Sequence, residues 1–391
     1  MIQLPRFFID KGEKMKIISA IDSMKGSLTS KEANQIIKNT FEDEKISVEP
    51  IAIADGGEGT VEAFVSSRNG QIKSALCHDL KGAEIDAQYG WLADEKTAII
   101  ESAQTCGIQF LDGTISSHPR KTSSFGLGEQ LMTACKQGAR RVIVGLGGTG
   151  TIDCGIGMLA GLGVEFFDNE EQPVSPIPEN FQQIARISTD HLPNELNELE
   201  IIIASDVQSI ITGETGAVYM FGEQKGLRAD ELVEFERDIH KLSQLLLASS
   251  ESQPGDGAAG GIALALRTIF NAQIVSGIDL LIQYTDLEQR IKQSDLVITG
   301  EGRMDAQSLQ GKVPVGIAKL AKQHGVPVIA FVGEVSGEPL EFEKVGLSVI
   351  LPIVAQLSTL KEALANAKQN LELASMRAKQ LLFLLQKNKE E

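Results

Sequence analysis

The sequence is poor in the residue types on which several common functional sites depend. Aromatic residues make up 5% of the chain, which contains only 4 cysteines and 5 histidines. These cysteines and histidines lack the paired spacing of a zinc site, and surface positions are the better interpretation of the histidines. Scattered thiols without a pairing pattern are typical of a reducing compartment, so we expect a cytoplasmic protein.

Positive charge is also scarce, because 36 lysines and arginines stand against 53 aspartates and glutamates and leave a net charge of −17. This balance disfavours nucleic acid or an anionic membrane as the main partner. No apolar run has the length of a membrane span, and the longest, near residues 326–332 and 347–354, are strand-sized. We therefore expect a small-molecule partner and a monomer or homodimer.

Two standard catalytic motifs are missing. Gly311-Lys312 lacks the upstream glycine of a Walker A loop, which excludes that nucleotide motif. No Gly-x-Ser-x-Gly elbow is present, so serine hydrolase chemistry has no support.

What the chain does contain is a set of short loops that combine glycine with carboxylates or carry a carboxylate alone. Most of them follow a short β-branched apolar run that is typical of a buried strand. Glycine lets backbone N–H groups approach an anion, and carboxylates hold Mg²⁺ or accept a proton. We therefore predict an active site that handles phosphate and metal. The loops span residues 55–60, 145–153, 205–208, 255–261 and 300–305.

Strand and helix patterns alternate at both ends of the chain, whereas the middle is mixed. A strand over residues 16–21 is followed by a helix from the capping box Thr29-Ser-Lys-Glu32, and a second strand is predicted over 48–54. The pattern favours an α/β fold in which a doubly wound domain is interrupted by an inserted α/β domain of mixed sheet. We assign residues 15–72 and 288–391 to the first domain and 73–287 to the insertion.

The first fourteen residues do not have the apolar segment or cleavage site of a signal peptide. Met15 opens directly into the first strand pattern. We expect Met15 to be the native start and residues 1–14 to be a non-native or disordered extension, which the intact mass of the protein from its own locus would test.

Four carboxylates are predicted at the carboxyl ends of strands, where open α/β sheets place catalytic groups. They are Asp22, Asp55, Asp206 and Glu301. Any one of them is equally well explained as a turn or cap residue, but the four together favour a functional site.

Phosphoryl transfer also needs cations near these loops. Lys25 lies in the polar loop after the first strand, and Arg303 lies between Glu301 and Asp305, so we favour a function for both. Lys225 is better interpreted as a member of a surface ion pair.

At these loops the chain resembles the bacterial glycerate kinase family of class I, the glycerate 2-kinase type. The resemblance covers almost the whole chain from Met15 onward. Asp305, Gln307 and Gly311-Lys312 extend the last of its motifs. The motifs are Asp22-Ser-Met-Lys-Gly-Ser-Leu28, Ala54-Asp-Gly-Gly-Glu-Gly-Thr60, Phe221-Gly-Glu-Gln-Lys-Gly226, Gly257-Ala-Ala-Gly-Gly261, Ser276-Gly-Ile-Asp279 and Asp295-Leu-Val-Ile-Thr-Gly-Glu-Gly-Arg303.

The resemblance implies a Rossmann-like α/β domain built from both chain ends, a second α/β domain inserted in it, and an active site in the cleft between them. It implies ATP-dependent phosphorylation of D-glycerate to 2-phosphoglycerate by direct phosphoryl transfer, with ATP and Mg²⁺. The chain departs from the family pattern at Ile152 and Cys154, which replace Asn and Gly, and at Ser209 and Ile210, which replace Asn and Pro.

The site implied by the resemblance has four parts. The catalytic residues are Asp55, Asp206, Lys25 and Arg303, with Asp55 or Asp206 orienting or deprotonating the hydroxyl. The substrate-binding residues are Asp22, Ser23, Lys25, Gly56, Gly57, Glu58, Arg303 and Asp305. The nucleotide phosphates are bound by Gly147, Gly148, Thr149, Thr151, Gly257, Gly260 and Gly261. The Mg²⁺ ligands are Asp206, Asp153 and Glu301.

Two alternatives stay open. The departures at Ile152 and Ser209 are consistent with a kinase for a different small hydroxy acid. A protein of another class, a ligand-binding homologue without catalysis, would keep the fold and lose turnover.

Overall fold

The structure is a computed structural model that describes residues 14–54, 56–306, 308–310 and 312–387. Asp55, Gln307 and Gly311 lie outside the described residues, as does nearly all of the predicted N-terminal extension. The described residues form thirteen strands and fourteen α-helices, and the predicted mixed α/β architecture with parallel and mixed sheets is confirmed. No helix in these residues is long and apolar enough to cross a membrane.

The strands are β1 (Met15–Ile21), β2 (Ile46–Pro50), β3 (Gln71–His78), β4 (Glu84–Leu92), β5 (Thr97–Glu101), β6 (Arg141–Gly145), β7 (Glu165–Phe167), β8 (Arg186–Ser188), β9 (Glu200–Ala204), β10 (Gln273–Val275), β11 (Leu296–Met304), β12 (Val328–Val335) and β13 (Val349–Pro352).

The α-helices are α1 (Ser30–Phe41), α2 (Thr60–Ser67), α3 (Ala103–Cys106), α4 (Phe125–Lys136), α5 (Ile156–Gly161), α6 (Ala217–Phe221), α7 (Leu232–Leu247), α8 (Ile262–Phe270), α9 (Gly277–Tyr284), α10 (Leu287–Lys292), α11 (Val313–Gln323), α12 (Pro339–Lys344), α13 (Leu360–Ala365) and α14 (Ala367–Lys387).

The chain divides into two compact units. The first contains the described residues up to 54, Ser66–Arg68 and those from Ile278 onward, and the second contains Gly56–Val65 and Asn69–Gly277. The second junction lies at residue 278 instead of the predicted 288, and residues 56–65 and 69–72, which were predicted in the first domain, belong to the second unit. The domain assignment itself stays a prediction.

The sheet of the first unit has five parallel strands in the order β13-β12-β11-β1-β2. Strand β2 pairs with one edge of β1, and β11, which comes much later in the chain, pairs with the other edge of β1. The strand order therefore reverses between β1 and β11. Ligands of open α/β sheets bind outside the carboxyl ends of the strands at such a point.

Strand β11 is longer than predicted. The sequence pattern predicts a strand that ends at Thr299 and a loop over residues 300–305. Instead the strand continues to Met304, because Glu301, Arg303 and Met304 keep pairing with β12 as far as Val335. Glu301 and Arg303 are therefore held within the sheet, and the predicted loop position of both residues is wrong.

Strand β2 is shorter than predicted. The predicted strand over 48–54 ends at Pro50, which has no N–H with which to continue a ladder. The N–H of Ile51 still donates to the carbonyl of Ser19, and residues 52–54 then leave the sheet.

Asn34 on α1 ties the end of β1 to the segment that follows β2. Its side-chain amide donates to the carbonyl oxygens of Ser30, Ile21 and Ile51 at 2.8, 3.0 and 3.2 Å. Its oxygen accepts from the N–H of Ile21 and the hydroxyl of Ser19 at 2.9 and 2.7 Å. The side chain is 1% exposed, so water cannot replace these bonds. Asn34 thereby fixes the backbone directly before Asp22.

We expect Asn34→Leu to lower the free energy of unfolding by about 3 kcal/mol, because it leaves buried backbone groups without partners. The control is Asn39→Leu, the same substitution at an exposed position of the same helix, where a change within about 0.5 kcal/mol is expected. Urea unfolding of both variants provides the measurement. Equal midpoints for the two would contradict the role given to Asn34.

The larger sheet of the second unit has six strands in the order β10-β9-β6-β5-β4-β3. Strands β10, β9, β6 and β5 are parallel, and β4 and β3 complete the sheet as antiparallel strands. The register pairs Glu101 with Gly145, Gly145 with Ala204, and Ala204 with Val275. The four parallel strands thus end at one level, and the loops that follow them share one edge of the sheet.

Candidate functional site

The predicted site residues that the structure describes fall into two groups, one in each unit. Asp55 lies outside the described residues, and its predicted catalytic role stays a prediction. The first unit contains Asp22, Ser23, Lys25, Glu301, Arg303 and Asp305. The second unit contains Gly56, Gly57, Glu58, Gly147, Gly148, Thr149, Thr151, Asp153, Asp206, Gly257, Gly260 and Gly261.

Asp22 directly follows β1 at the point where the strand order reverses. Its N–H donates to the carbonyl of Gly300 at 3.0 Å, and its carboxylate accepts from the N–H of Ser23 at 2.7 Å. The loop that contains Lys25 then lies against β11, since a Cβ on Gly302 would be 3.5 Å from the backbone nitrogen of Lys25. The predicted polar loop and the end of β11 are therefore adjacent.

Glu301 is a buried carboxylate beside a cation. It is 6% exposed, and its Oε2 lies 3.3 Å from Nζ of Lys312. Its Oε1 has no hydrogen-bond partner among the described residues. Burial raises the pKa of the Glu301 carboxyl, and the charge of Lys312 acts in the opposite direction. The unused oxygen can accept a hydrogen bond from a ligand or bind a cation.

Arg303 is exposed and belongs to a loose group of charges. Its Nε lies 3.6 Å from Asp305 and 3.8 Å from Glu334. The contact with Glu334 follows from the strand register, which pairs Arg303 with Glu334 across β11 and β12. Exposed ion pairs of this length are weak, so the guanidinium can bind a carboxylate or phosphate without a large loss.

In the second unit, glycines let the segment after residue 55 lie directly on the strand ends. A Cβ on Gly56 would be 2.4 Å from the carbonyl oxygen of Ala204, and a Cβ on Gly145 would be 2.4 Å from that of Gly56. A Cβ on Gly147 would be 2.5 Å from Cα of Gly57. The N–H of Gly147 donates to the carbonyl of Gly56 at 3.1 Å. Any side chain at these positions would push the backbones apart.

The loop over residues 147–151 is held by backbone hydrogen bonds, one of which the carbonyl of Gly148 accepts from the N–H of Ile108 at 2.8 Å. Gly147 is bonded to Gly56, and the N–H of Gly150 donates to the carbonyl of Cys106 at 2.7 Å. The N–H groups of Gly148 and Thr149 donate to no described residue. Gly148 is exposed and Thr149 is 6% exposed, so the N–H of Gly148 is the accessible donor that can bind an anionic group.

The loop over residues 257–261 has a different surrounding. It is buried, and a Cβ on Gly260 would be 2.3 Å from the carbonyl oxygen of Thr151. The N–H of Gly257 donates to Ser209, and that of Gly260 donates to Gly257. This geometry favours a role in supporting the loop over 147–151. The predicted contact of Gly257, Gly260 and Gly261 with phosphate stays a prediction.

Asp153 is fully buried, and both of its oxygens accept hydrogen bonds inside the protein. The donors are the N–H and hydroxyl of Ser124, both at 2.7 Å, and the N–H groups of Gly155 and Gly157 at 3.1 and 3.3 Å. Burial raises the pKa of the Asp153 carboxyl, and these bonds oppose the rise. The arrangement is that of a loop support and disfavours the predicted role in metal binding.

Asp206 is the more open carboxylate of this unit. It is half-buried and lies two residues beyond the end of β9, just as Gly147 lies two residues beyond the end of β6. Because Gly145 and Ala204 are register partners, the loops of Gly147 and Asp206 start side by side. Asp206 and the exposed amide of Gly148 therefore belong to loops that leave neighbouring strands at the same edge of the sheet.

Glu101 was not predicted as a site residue. It is the last residue of β5, is buried, and accepts a hydrogen bond from the N–H of Val61 at the start of α2 at 2.8 Å. Burial raises the pKa of the Glu101 carboxyl. The signal that could have found it is its position at the end of a predicted strand, the rule that selected the other carboxylates.

The interpretation of Lys225 as a surface ion-pair residue is wrong. Lys225 is 6% exposed, and its Nζ donates to the carbonyl of Thr151 at 2.9 Å. Burial lowers the pKa of the Lys225 ammonium to about 8. The sequence could not reveal this burial, because it depends on contacts with residues more than seventy positions away.

Among the described residues, no group of three or more His, Cys, Asp or Glu side chains could hold a metal ion. Mg²⁺ in phosphoryl-transfer sites is held by one or two carboxylates together with substrate phosphates and water. A half-buried Asp206 beside open amides, or Glu301 with its unused oxygen, fits that donor set.

Comparison with known proteins identifies the family. Residues 17–383 match the model of the glycerate kinase family. The chain belongs to this family. The glycerate kinase of Bacillus subtilis (strain 168) is 34% identical over 95% of this chain and 100% of its own length. The glycerate 2-kinase of Escherichia coli (strain K12) is 34% identical over 92% of this chain and 96% of its own length.

A solved structure shows the same relationship for the fold. The crystal structure of a Salmonella typhimurium LT2 protein, provisionally named glycerate kinase 2, has a TM-score of 0.82 and 32% identity. The match covers 96% of this chain and 100% of the other. The family recognised from the loop motifs is therefore confirmed, and the chain is placed among the kinases.

In this member of the glycerate kinase family, we expect Gly56→Ala to lower the free energy of unfolding on the order of 2–4 kcal/mol, because its Cβ would meet the carbonyl of Ala204. Gly59→Ala is the matched control. Gly59 also has a positive φ, but a Cβ there would meet nothing within 4 Å, so about 1 kcal/mol of backbone strain is expected. Thermal unfolding compares the two, and an equal loss at both positions would contradict the close contact.

Proposed function

We propose that this protein is a glycerate kinase that uses ATP to phosphorylate D-glycerate at the 2-position, giving 2-phosphoglycerate and ADP. Membership of the glycerate kinase family supports the reaction class. The name of the Escherichia coli relative, glycerate 2-kinase, supports the 2-position.

The observation that carries the proposal is the edge of the second unit's sheet. There the loop that follows β6 presents the exposed N–H of Gly148, and the loop that follows the neighbouring strand β9 contains Asp206. Open amides bind nucleotide phosphates, and a neighbouring carboxylate binds the Mg²⁺ that accompanies them. Bound Mg²⁺ would supply charge neutralisation of the phosphates, with Asp206 as its proposed ligand.

The first unit supplies the groups that suit a hydroxy acid. Lys25 and Arg303 are exposed cations that can bind its carboxylate, and Asp22 and Ser23 are polar groups beside them. Glu301 has an unused oxygen and can accept a hydrogen bond from a hydroxyl. Because the transition state of phosphoryl transfer is loose, the carboxylate that orients the hydroxyl, Asp55 or Asp206, does not need strong basicity.

We also propose that both chain ends form the Rossmann-like domain and that the second α/β domain is inserted in it. The parallel sheet that combines β1 and β2 with β11, β12 and β13 supports this arrangement. A cytoplasmic location is proposed from the four free cysteines, all of which are buried thiols.

The first rival, a kinase for a different small hydroxy acid, rests on the departures from the family pattern. Ile152 is fully buried in the core of the second unit, so a side chain at this position does not line an open surface. Ser209 is half-buried, and its hydroxyl has no hydrogen-bond partner among the described residues, so only its backbone carbonyl supports Gly255 and Gly257. The departure at Ile152 therefore concerns the support of a loop, which favours D-glycerate.

Phosphorus NMR of the product formed from ATP and D-glycerate is the test of the proposed reaction. We expect the resonance of 2-phosphoglycerate together with ADP. A resonance of 3-phosphoglycerate would contradict the 2-position. A panel of small hydroxy acids would contradict the substrate if another acid has the higher kcat/KM. Binding of glycerate without release of ADP would favour the non-catalytic homologue.

We expect Asp206→Asn to lower kcat by about 100-fold or more, because the amide cannot replace the negative charge of a metal ligand or base. The fold should be unchanged, since Asp206 is half-buried at a strand end. Asp94→Asn, at an exposed turn of the same unit, is the control and should keep normal turnover. Steady-state kinetics with circular dichroism provides the measurement, and near-normal turnover of Asp206→Asn would remove it from the mechanism.

A further inference from the structure

Lys225 is the only arginine or lysine among the described residues that is buried. It ends a short 3₁₀ helix, Glu223–Lys225, and is followed by Gly226 in the left-handed conformation. Its ammonium donates one hydrogen bond, to the carbonyl of Thr151, and forms no ion pair with a described carboxylate. An ammonium has three donors, so most of its hydrogen-bonding capacity is unused.

Stability alone does not explain a lysine at this position. Removing an ammonium from water is costly, and one carbonyl together with the Phe221 ring, whose centroid lies 5.9 Å from Nζ, offsets only part of that cost. The charge of Asp153 favours the ammonium of Lys225, but burial outweighs it and lowers the pKa of Lys225. Burying a methionine of similar length would cost less free energy.

The partner of Lys225 explains what the charge can do. Thr151 ends the loop in which the N–H groups of Gly148 and Thr149 donate to no described residue, and Gly148 is exposed. Its carbonyl is also close to Gly260, on which a Cβ would lie 2.3 Å from that oxygen. Backbone hydrogen bonds hold the loop at Gly147, Gly148 and Gly150, and Lys225 is the one charged side chain among the described residues that bonds to it.

The sign of the charge also matters. The chain carries a net charge of −17, and Asp153 and Asp206 are both near this loop in the sequence or the sheet. In a buried site, electrostatic interactions act over longer distances than in water. A positive group that bonds to the loop therefore lowers the electrostatic free energy of a phosphate that binds there.

We propose that Lys225 is a positioning residue that fixes the loop over residues 147–151 for nucleotide phosphates and gives it a positive potential. The proposal rests on the proposed function, because it assigns ATP to this loop. It extends that function to a residue that does not touch the reacting atoms.

The test compares Lys225→Met with Lys241→Met in the full-length protein. Lys241 lies on α7 of the same unit and also donates to a backbone carbonyl, that of Gln182, but it is only half-buried. For Lys225→Met we expect the KM for ATP to rise about tenfold or more and the KM for D-glycerate to change less than about twofold. Its melting temperature should be equal to or higher than that of the wild type. Lys241→Met should match the wild type in all three measurements.

Lys225→Arg keeps the charge and should restore the KM for ATP in part. An unchanged KM for ATP in Lys225→Met would overturn the proposal. So would a lower melting temperature with an equal rise in both KM values, since that is the signature of structural support alone. If neither variant folds, Lys225 is a structural residue and the proposal is also overturned. A wild-type protein that releases no ADP from ATP and D-glycerate would instead overturn the proposed function.

Discussion

The close contact between glycine backbones at the strand ends of the second unit is the constraint on which its candidate site depends. Gly56, Gly145 and Gly147 let separate segments approach to distances that no Cβ would allow. Glycine loses more conformational freedom on folding than any other residue, so this contact has an entropic cost. In return it brings the segment after residue 55 onto the ends of β6 and β9. The loops with open amides and with Asp206 start at the same edge.

Burial and hydrogen bonding divide the carboxylates into two kinds. Asp153 accepts four hydrogen bonds, and Asp256 makes a buried two-point ion pair with Arg267 at 2.7 Å for each contact. Such groups hold loops in place. Glu301 is equally buried but keeps an oxygen without a described partner, and Asp206 is half-buried. In the sequence, Asp153, Asp256 and Glu301 lie in segments that contain glycine, and Asp206 lies in a segment without it. This pattern does not separate support from function, and only the surroundings do.

Local signals made much of the fold predictable. The capping box of Thr29 and Glu32 is present at the start of α1, and most strands with β-branched apolar runs lie within a few residues of their predicted bounds. The family was predictable because its motifs are ordered along the chain. The errors came from interactions between distant segments. Pairing with β12 lengthens β11, and a contact with Thr151 buries Lys225. The Asn34 network could not be read from the sequence either, because its partners belong to two other segments.

The same contacts explain what the departures from the family pattern change in the structure. Ile152 and Cys154 are fully buried and follow Thr151, whose carbonyl is held by Lys225. Cys154 also donates its N–H to the carbonyl of Gly260. An apolar side chain at Ile152 adds to the core of the second unit and does not need the hydrogen-bond partners that a buried Asn would require. Ile152 and Cys154 therefore alter how the loop over residues 147–151 is supported. The N–H groups of Gly148 and Thr149 belong to the backbone and do not depend on those two side chains. A change of support affects the position and rigidity of the loop, and hence turnover, more directly than it affects the choice of hydroxy acid.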